Sequence, residues 1–255
     1  MRFCRNSLQN KGRKMKKILL FLYELVIAMP VLVVLTILTS VVTIVGSAAG
    51  NSDFWGYYPA RIWSRLFCFF SLVKVEVSGR GNIDKNRSYV FVSNHQGAYD
   101  IFLVYGYLNH NFKWVMKQSL RNIPLVGKAC QSAGHIFIDR GNPKAIQHTI
   151  EAAKAKLQGG MSVVIFPEGT RSSDGKLHRF KRGAYQIAVD LNIPVVPMTI
   201  NGSYKILSKN SKLINPGKLT LKIHPPIYPD KDSGHNMETL VNESYEQIAS
   251  GLDEK

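Results

Sequence analysis

The chain has 255 residues, 45% of them apolar, and 33 Lys and Arg against 17 Asp and Glu leave a formal charge of +16. That length holds a membrane segment and one domain with its own core, and the charge points to a polyanionic partner: nucleic acid, an anionic membrane surface or a phosphorylated small molecule. Cys4, Cys68 and Cys130 are odd in number, far apart and without a C-x-x-C pair, which argues against a disulfide framework or a cysteine zinc site and fits a reducing compartment.

Ile18 to Ala49 is apolar apart from Glu24 and Pro30, and Lys11, Arg13, Lys14, Lys16 and Lys17 precede it. Ser47-Ala48-Ala49 resembles a signal-peptide cleavage site, but the run far exceeds the roughly 7–15 residues of a signal-peptide core, so a membrane segment is the expectation. As one helix it is about 48 Å long, against about 30 Å of hydrocarbon core. Pro30 is expected to break it, and basic residues flank both ends, with Arg61 and Arg65 following. A re-entrant hairpin with both ends on the cytoplasmic face is the resulting expectation, with a single strongly tilted crossing as the alternative. From Phe54 to Phe70, aromatic rings alternate with Arg61 and Arg65, a composition suited to the headgroup layer; a soluble helix face is the alternative.

Short apolar runs then read as strands at Lys74–Ser78, Tyr89–Ser93, Phe112–Met116, His135–Ile138, Met161–Phe166, Pro194–Ile200 and Leu219–Ile223. A helix capped by Asn142 begins at Pro143, buries Ile146, Ile150, Ala153 and Leu157 and stops at Gly159-Gly160. Others are expected at Ile101–Leu108, at about Lys181–Leu191 and at Met237–Ile248. The layout predicts an α/β fold with a largely parallel central sheet flanked by helices and an N-terminal helical membrane segment. Residues 1–72 form the anchoring and interfacial part and 73–255 the catalytic domain, with no internal repeat or linker dividing it.

Asn94 to Asp100, NHQGAYD, follows one predicted strand and precedes a predicted helix, where an α/β sheet presents reacting groups. A turn there brings Asp100 to His95, fixes the imidazole tautomer and leaves the outer nitrogen free to take a hydroxyl proton. No G-x-S-x-G elbow or obvious nucleophilic Ser or Cys completes a triad, and none is needed if the hydroxyl belongs to the substrate. The bland reading is a histidine capping the next helix. A second run, VVIFPEGTRS from Val163 to Ser172, ends another strand in a tight turn at Pro167 and Gly169. There Glu168, Thr170 and Arg171 offer a carboxylate, a hydroxyl and a guanidinium fork matched to phosphate oxygens. Glu168 either binds a glycerol hydroxyl or holds Arg171; alone, the run is also a plain turn with an ion pair.

Together these runs resemble the glycerolipid acyltransferase family, and within it the 1-acylglycerol-3-phosphate acyltransferases, whose signature is N-H-x4-D followed by F-P-E-G-T-R-S. Weaker blocks also match: Lys117-Gln118-Ser119-Leu120, Ile123-Pro124, Gly127, Gly134-His135-Ile136-Phe137-Ile138-Asp139-Arg140, and Val195-Val196-Pro197-Met198. The resemblance covers about Lys74 to Ile200. It implies His95 as general base, Asp100 as its orienting partner, and Arg140, Glu168, Gly169, Thr170 and Arg171 as glycerol phosphate ligands, with Lys117 a further phosphate contact. One departure is Gly97, where many members carry Ser.

The implied reaction moves a fatty acyl group from acyl-CoA or acyl carrier protein to the free sn-2 hydroxyl of lysophosphatidic acid, giving phosphatidic acid. It needs no metal or organic cofactor, since the thioester is already activated. Glycerol-3-phosphate or another lysophospholipid stays open as acceptor, and a non-catalytic membrane scaffold is the rival outside catalysis. No helix-turn-helix, RNA-recognition or zinc-finger pattern supports nucleic-acid binding, and no H-x3-H or H-E-x-x-H supports a metal site. The expected location is a membrane, the inner one in a bacterium, with the catalytic domain on the cytoplasmic face and the bilayer itself a partner.

Overall fold

The computed structural model describes residues 15–16, 18–139, 143–158, 160–211, 213–229 and 237–253. Asn142, Gly159 and the Ile146 side chain, assigned above to a helix and its caps, lie outside the described set, as does Arg140.

Apolar residues from Ile18 to Ala48 form one long helix, with a π-turn at Glu24–Ala28 leading into α1, Met29–Ala48. Pro30 does not break it, contrary to expectation. It sits in the first turn of α1, and the Met29 N–H reaches back to the Glu24 carbonyl, a π-type bond that shifts the ladder just where the proline ring interferes. The chain reverses instead at Ala49 to Asn51. Gly50 takes φ 118°, and Asn51, at φ 53°, caps α2, Ser52–Phe70, by accepting the Phe54 N–H at 3.0 Å.

α1 and α2 therefore form an antiparallel hairpin, with the aromatic stretch as its second arm. Trp63 Nε1 donates to Thr36 Oγ1 at 3.0 Å, and at the open end Tyr23 Oη donates to the Phe70 carbonyl at 2.9 Å. Outward along α1, Val33, Val34, Ile37, Leu38, Val41, Val42 and Val45 are exposed. One helix in the described chain is long and apolar enough to cross a membrane.

The sheet contains β1 (Lys74–Ser78), β2 (Val90–Ser93), β3 (Phe112–Lys117), β4 (Ile136–Ile138), β5 (Ser162–Ile165), β6 (Val195–Asn201) and β7 (Lys218–Ile223), in the order β1-β7-β6-β2-β5-β3-β4. Only β6 and β7 pair antiparallel. Every strand expected from sequence is present, and the sheet is largely parallel as expected. Between them lie α3 (Tyr99–Tyr107), α4 (Val126–Ser132), α5 (Pro143–Gln158), α6 (Gly183–Leu191) and α7 (Ser203–Leu207), and α8 (Met237–Ser250) follows β7.

Both faces of the sheet are covered, which is why its central strands read as unbroken apolar runs rather than as alternation. Phe91, Val164, Val196 and Met198 pack toward α2 and α3, while Val90, Val92, Val163 and Val195 pack toward α5, α6 and α8. Each such buried side chain contributes about 1.5–3 kcal/mol. The parallel strands align the C-terminal ends of β2, β5, β3 and β4, so the turns that follow them meet at one end of the molecule.

Candidate active site

β2 ends in a turn locked from three directions. Asn94, fully buried, donates from Nδ2 to the Ile200 carbonyl and accepts the Ile200 N–H, both at 2.8 Å, so its amide pairs with β6 as a strand would. Asp100, in the first turn of α3, takes three hydrogen bonds on one oxygen: from His95 Nδ1 at 2.7 Å and from the N–H groups of Gln96 at 2.8 Å and Gly97 at 3.0 Å. The same carboxylate thus shapes the turn and orients the His95 imidazole. Phe166 stacks on the imidazole, with centroids 3.9 Å apart and planes 8° from parallel. With Nδ1 committed, Nε2 is the nitrogen left for chemistry.

Gly97 has a packing reason to be glycine. A Cβ there would meet the Ser203 side chain and the carbonyls of Ser203 and Leu207, because α7 closes directly over the turn. The helix occupies the space that the family's usual serine would need.

Glu168 is 6% exposed and faces the turn rather than the open site. Its oxygens accept the His95 N–H at 2.7 Å and the His178 N–H at 3.1 Å. Burial raises its pKa, opposed by these two bonds. Glu168 forms no ion pair with Arg171 among the described residues; its carboxylate ties the His95 backbone to that of His178.

His95, Lys117, Gly169, Thr170 and Arg171 line one cavity of about 540 Å³ between the hairpin and the sheet. Its mouth carries three cations, Lys117, Arg171 and Lys209, and the last has no motif around it to reveal it in sequence. Inward the walls are Trp114, Tyr105, Ala129, Ala133 and His135, closed by Gly56 and Ala60 of α2. Thr36, Thr39, Ser40 and Thr43 of α1 add a hydroxyl stripe at helical spacing.

At the floor, the Trp114 N–H donates to His135 Nδ1 at 3.3 Å. His135 Nε2–H therefore donates to Tyr105 Oη at 2.6 Å, and Tyr105 Oη–H donates to the Gly56 carbonyl at 3.2 Å. Burial, with Lys113 and Lys156 nearby, pushes the His135 pKa down to about 3, so it is neutral at physiological pH. His135 falls in a block read above only as a likeness; its packing role depends on contacts with α2 and α3 that the sequence does not display.

The comparisons with known proteins agree with this α/β sheet. The acyltransferase family model matches residues 74–201, and the chain belongs to that family. It is 32% identical over 199 residues to the chloroplastic 1-acyl-sn-glycerol-3-phosphate acyltransferase LPAT1 of Arabidopsis thaliana, covering 77% of this chain and 54% of that protein. To the Helicobacter pylori 1-acyl-sn-glycerol-3-phosphate acyltransferase it is 40% identical over 146 residues, 57% of this chain and 60% of that one. The chain spans little more than half the length of the plant relatives. The crystal structure of the 1-acyl-sn-glycerophosphate (LPA) acyltransferase PlsC from Thermotoga maritima superposes with a TM-score of 0.75 at 29% identity, over 94% of this chain and 97% of that one.

Proposed function

We propose that the protein transfers a fatty acyl group from a thioester donor to the free hydroxyl of 1-acyl-glycerol-3-phosphate, giving phosphatidic acid. The observation that carries this reading is His95, with Nδ1 held by Asp100, set in a cavity with a cationic mouth and an apolar interior. A phosphate suits Lys117, Arg171 and Lys209, with the guanidinium fork giving direction and the two lysines charge. An acyl chain suits the walls built from Trp114, Ala129 and Ala133.

His95 Nε2 takes the hydroxyl proton as the oxygen attacks the thioester carbonyl; the tetrahedral intermediate collapses with loss of thiolate, which receives the proton back from the imidazolium. Asp100 keeps the ring in place and stabilises the imidazolium while it exists. The N–H groups of Gln96 and Gly97 are used by Asp100 and that of His95 by Glu168, so they are not free for the developing oxyanion. The Thr170 and Arg171 amides, which have no backbone partner among the described residues, are the better donors. No metal or organic cofactor enters this scheme.

Residues 1–72 act in this reading as the anchor and 73–255 as the catalytic domain, with the apolar face of α1 in the bilayer. The bond from Tyr23 to Phe70 supports a hairpin whose two ends share one side, which we take to be the cytoplasmic face where soluble acyl donors are found. The test is a panel of full-length protein in bilayer discs with acyl-CoA or acyl carrier protein and several acceptors. Phosphatidic acid formation from lysophosphatidic acid is expected; faster turnover of glycerol-3-phosphate or of a lysophospholipid lacking the phosphomonoester would overturn the acceptor.

A further inference from the structure

A second cavity, of about 610 Å³, lies on the far side of β4 from the first, between that strand and α5. The two share His135 as a wall. β4 is the edge strand, so its outer backbone row is not consumed by a neighbour. Gln118, which follows β3 directly, and Asp139, which follows β4, place part of its lining at the catalytic end of the sheet.

Its charges are Arg121, Lys156 and His148 against Asp139. Among the described residues neither Arg121 nor Lys156 is ion-paired to a carboxylate. Lys156 Nζ stands 3.4 Å from where a Cβ of residue 134 would be, and Gly134, at φ 74°, leaves room for it. The Arg121 guanidinium lies over one face of the Phe137 ring, 5.9 Å from its centroid, so cation and ring form one unit on the cavity wall. Cations without a carboxylate partner, next to an aromatic ring, recognise phosphates attached to a flat base.

We propose that this cavity holds the phosphorylated nucleotide of a coenzyme A type acyl donor, with Arg121 and Lys156 on its phosphates and the Phe137 side for the base. The inference rests on reading the first cavity as the acyl-transfer site, and it specifies which donor that site uses. The distance suits it: β2 and β4 are three strand spacings apart, about 14 Å, a span for the thin pantetheine arm between thioester and phosphates. Lys117, at the end of the strand between β5 and β4, lies along that path.

The test uses the full chain in bilayer discs and an Arg121→Ala/Lys156→Ala double variant, with two donors: acyl-CoA and the same acyl group on N-acetylcysteamine, which has no nucleotide. The variant is expected to raise KM for acyl-CoA by about 10- to 150-fold while leaving KM for the truncated donor at its wild-type value, which also reports an intact fold. Arg121→Lys/Lys156→Arg should restore most of the loss. Equal kinetics with acyl-CoA in variant and wild type, or an equal rise for both donors, would overturn the proposal. Calorimetric binding of free coenzyme A reads the site without turnover: wild type should bind and the double variant should not. If neither form binds it, or both bind it equally, the nucleotide site is refuted even where acyl transfer itself proceeds. Absence of turnover with any donor would refute the acyl-transfer reading instead.

Discussion

The turn after β2 and the floor of the cavity each present a histidine to the same space, and the two have opposite surroundings. His95 has a buried carboxylate on Nδ1, an aromatic ring beneath it and Nε2 left for a substrate. His135 has both nitrogens committed, one to a backbone N–H and one to Tyr105, with cations rather than a carboxylate nearby. The difference teaches that the partner set, not the residue type or its place in a cavity, leaves one histidine with a free ring nitrogen and makes the other a strut.

The comparison breaks most sharply at His95. His95→Ala is expected to lower turnover by about 10²–10⁴-fold with an unchanged thermal melt, and Asp100→Asn by a comparable factor through loss of ring orientation. Initial rates with a thioester donor and lysophosphatidic acid measure both. More than a tenth of wild-type activity in His95→Ala would mean that the two histidines do not differ as described.

Next in size, Arg171→Ala should raise KM for the phosphorylated acceptor by about 10- to 150-fold, the loss of one charge-assisted contact, and affect the acyl donor much less. An equal effect on both substrates would assign Arg171 to the framework that holds the cavity.

Tyr105→Phe probes the floor, and its effect belongs to stability. It leaves His135 Nε2–H without a partner, at about 1–3 kcal/mol, or roughly 2–4 °C in Tm per kcal/mol for a chain of this size. The pH profile of turnover should not move. A shifted profile would give His135 a share in the proton chemistry.

The last effect is in acid. The folded pKa of His135, about 3, lies below its ordinary 6.5, so between those values the unfolded chain binds the extra proton. Its contribution is fully present above pH 6.5 and is lost as pH falls toward 3, and His224, at about 4, adds in the same direction. Tm should therefore fall as pH is lowered below 6.5, with a shallower slope in His135→Gln. An identical slope would mean that His135 is not held neutral by the fold.

Legibility in the sequence followed the range of each interaction. The His95–Asp100 pair spans five positions and one turn, so NHQGAYD displays it directly. Glu168 was visible as a site residue but not as a tie to the His95 backbone, since that bond joins turns after two different strands. Pro30 misled because a proline's effect depends on how the preceding turn hydrogen-bonds, and the π-turn there has no residue signature. The Phe54–Phe70 stretch showed its amphipathic composition; what it packs against was not written in it.

By itself the sequence determined the seven strands, the parallel character of the sheet, the apolar N-terminal helix and the two motifs, because strand burial, helical period and turn chemistry are set by neighbours a few positions apart. The tertiary structure alone decided the strand order that brings β2, β5, β3 and β4 side by side, the closure of α2 over the cavity, and the addition of Lys209 to its mouth. It also turned His135 into a neutral strut and set Arg121 and Lys156 on one cavity beside β4. These depend on contacts between segments far apart in the chain, where the energy comes from shape and from the pairing of buried polar groups, and no local pattern records which segments meet.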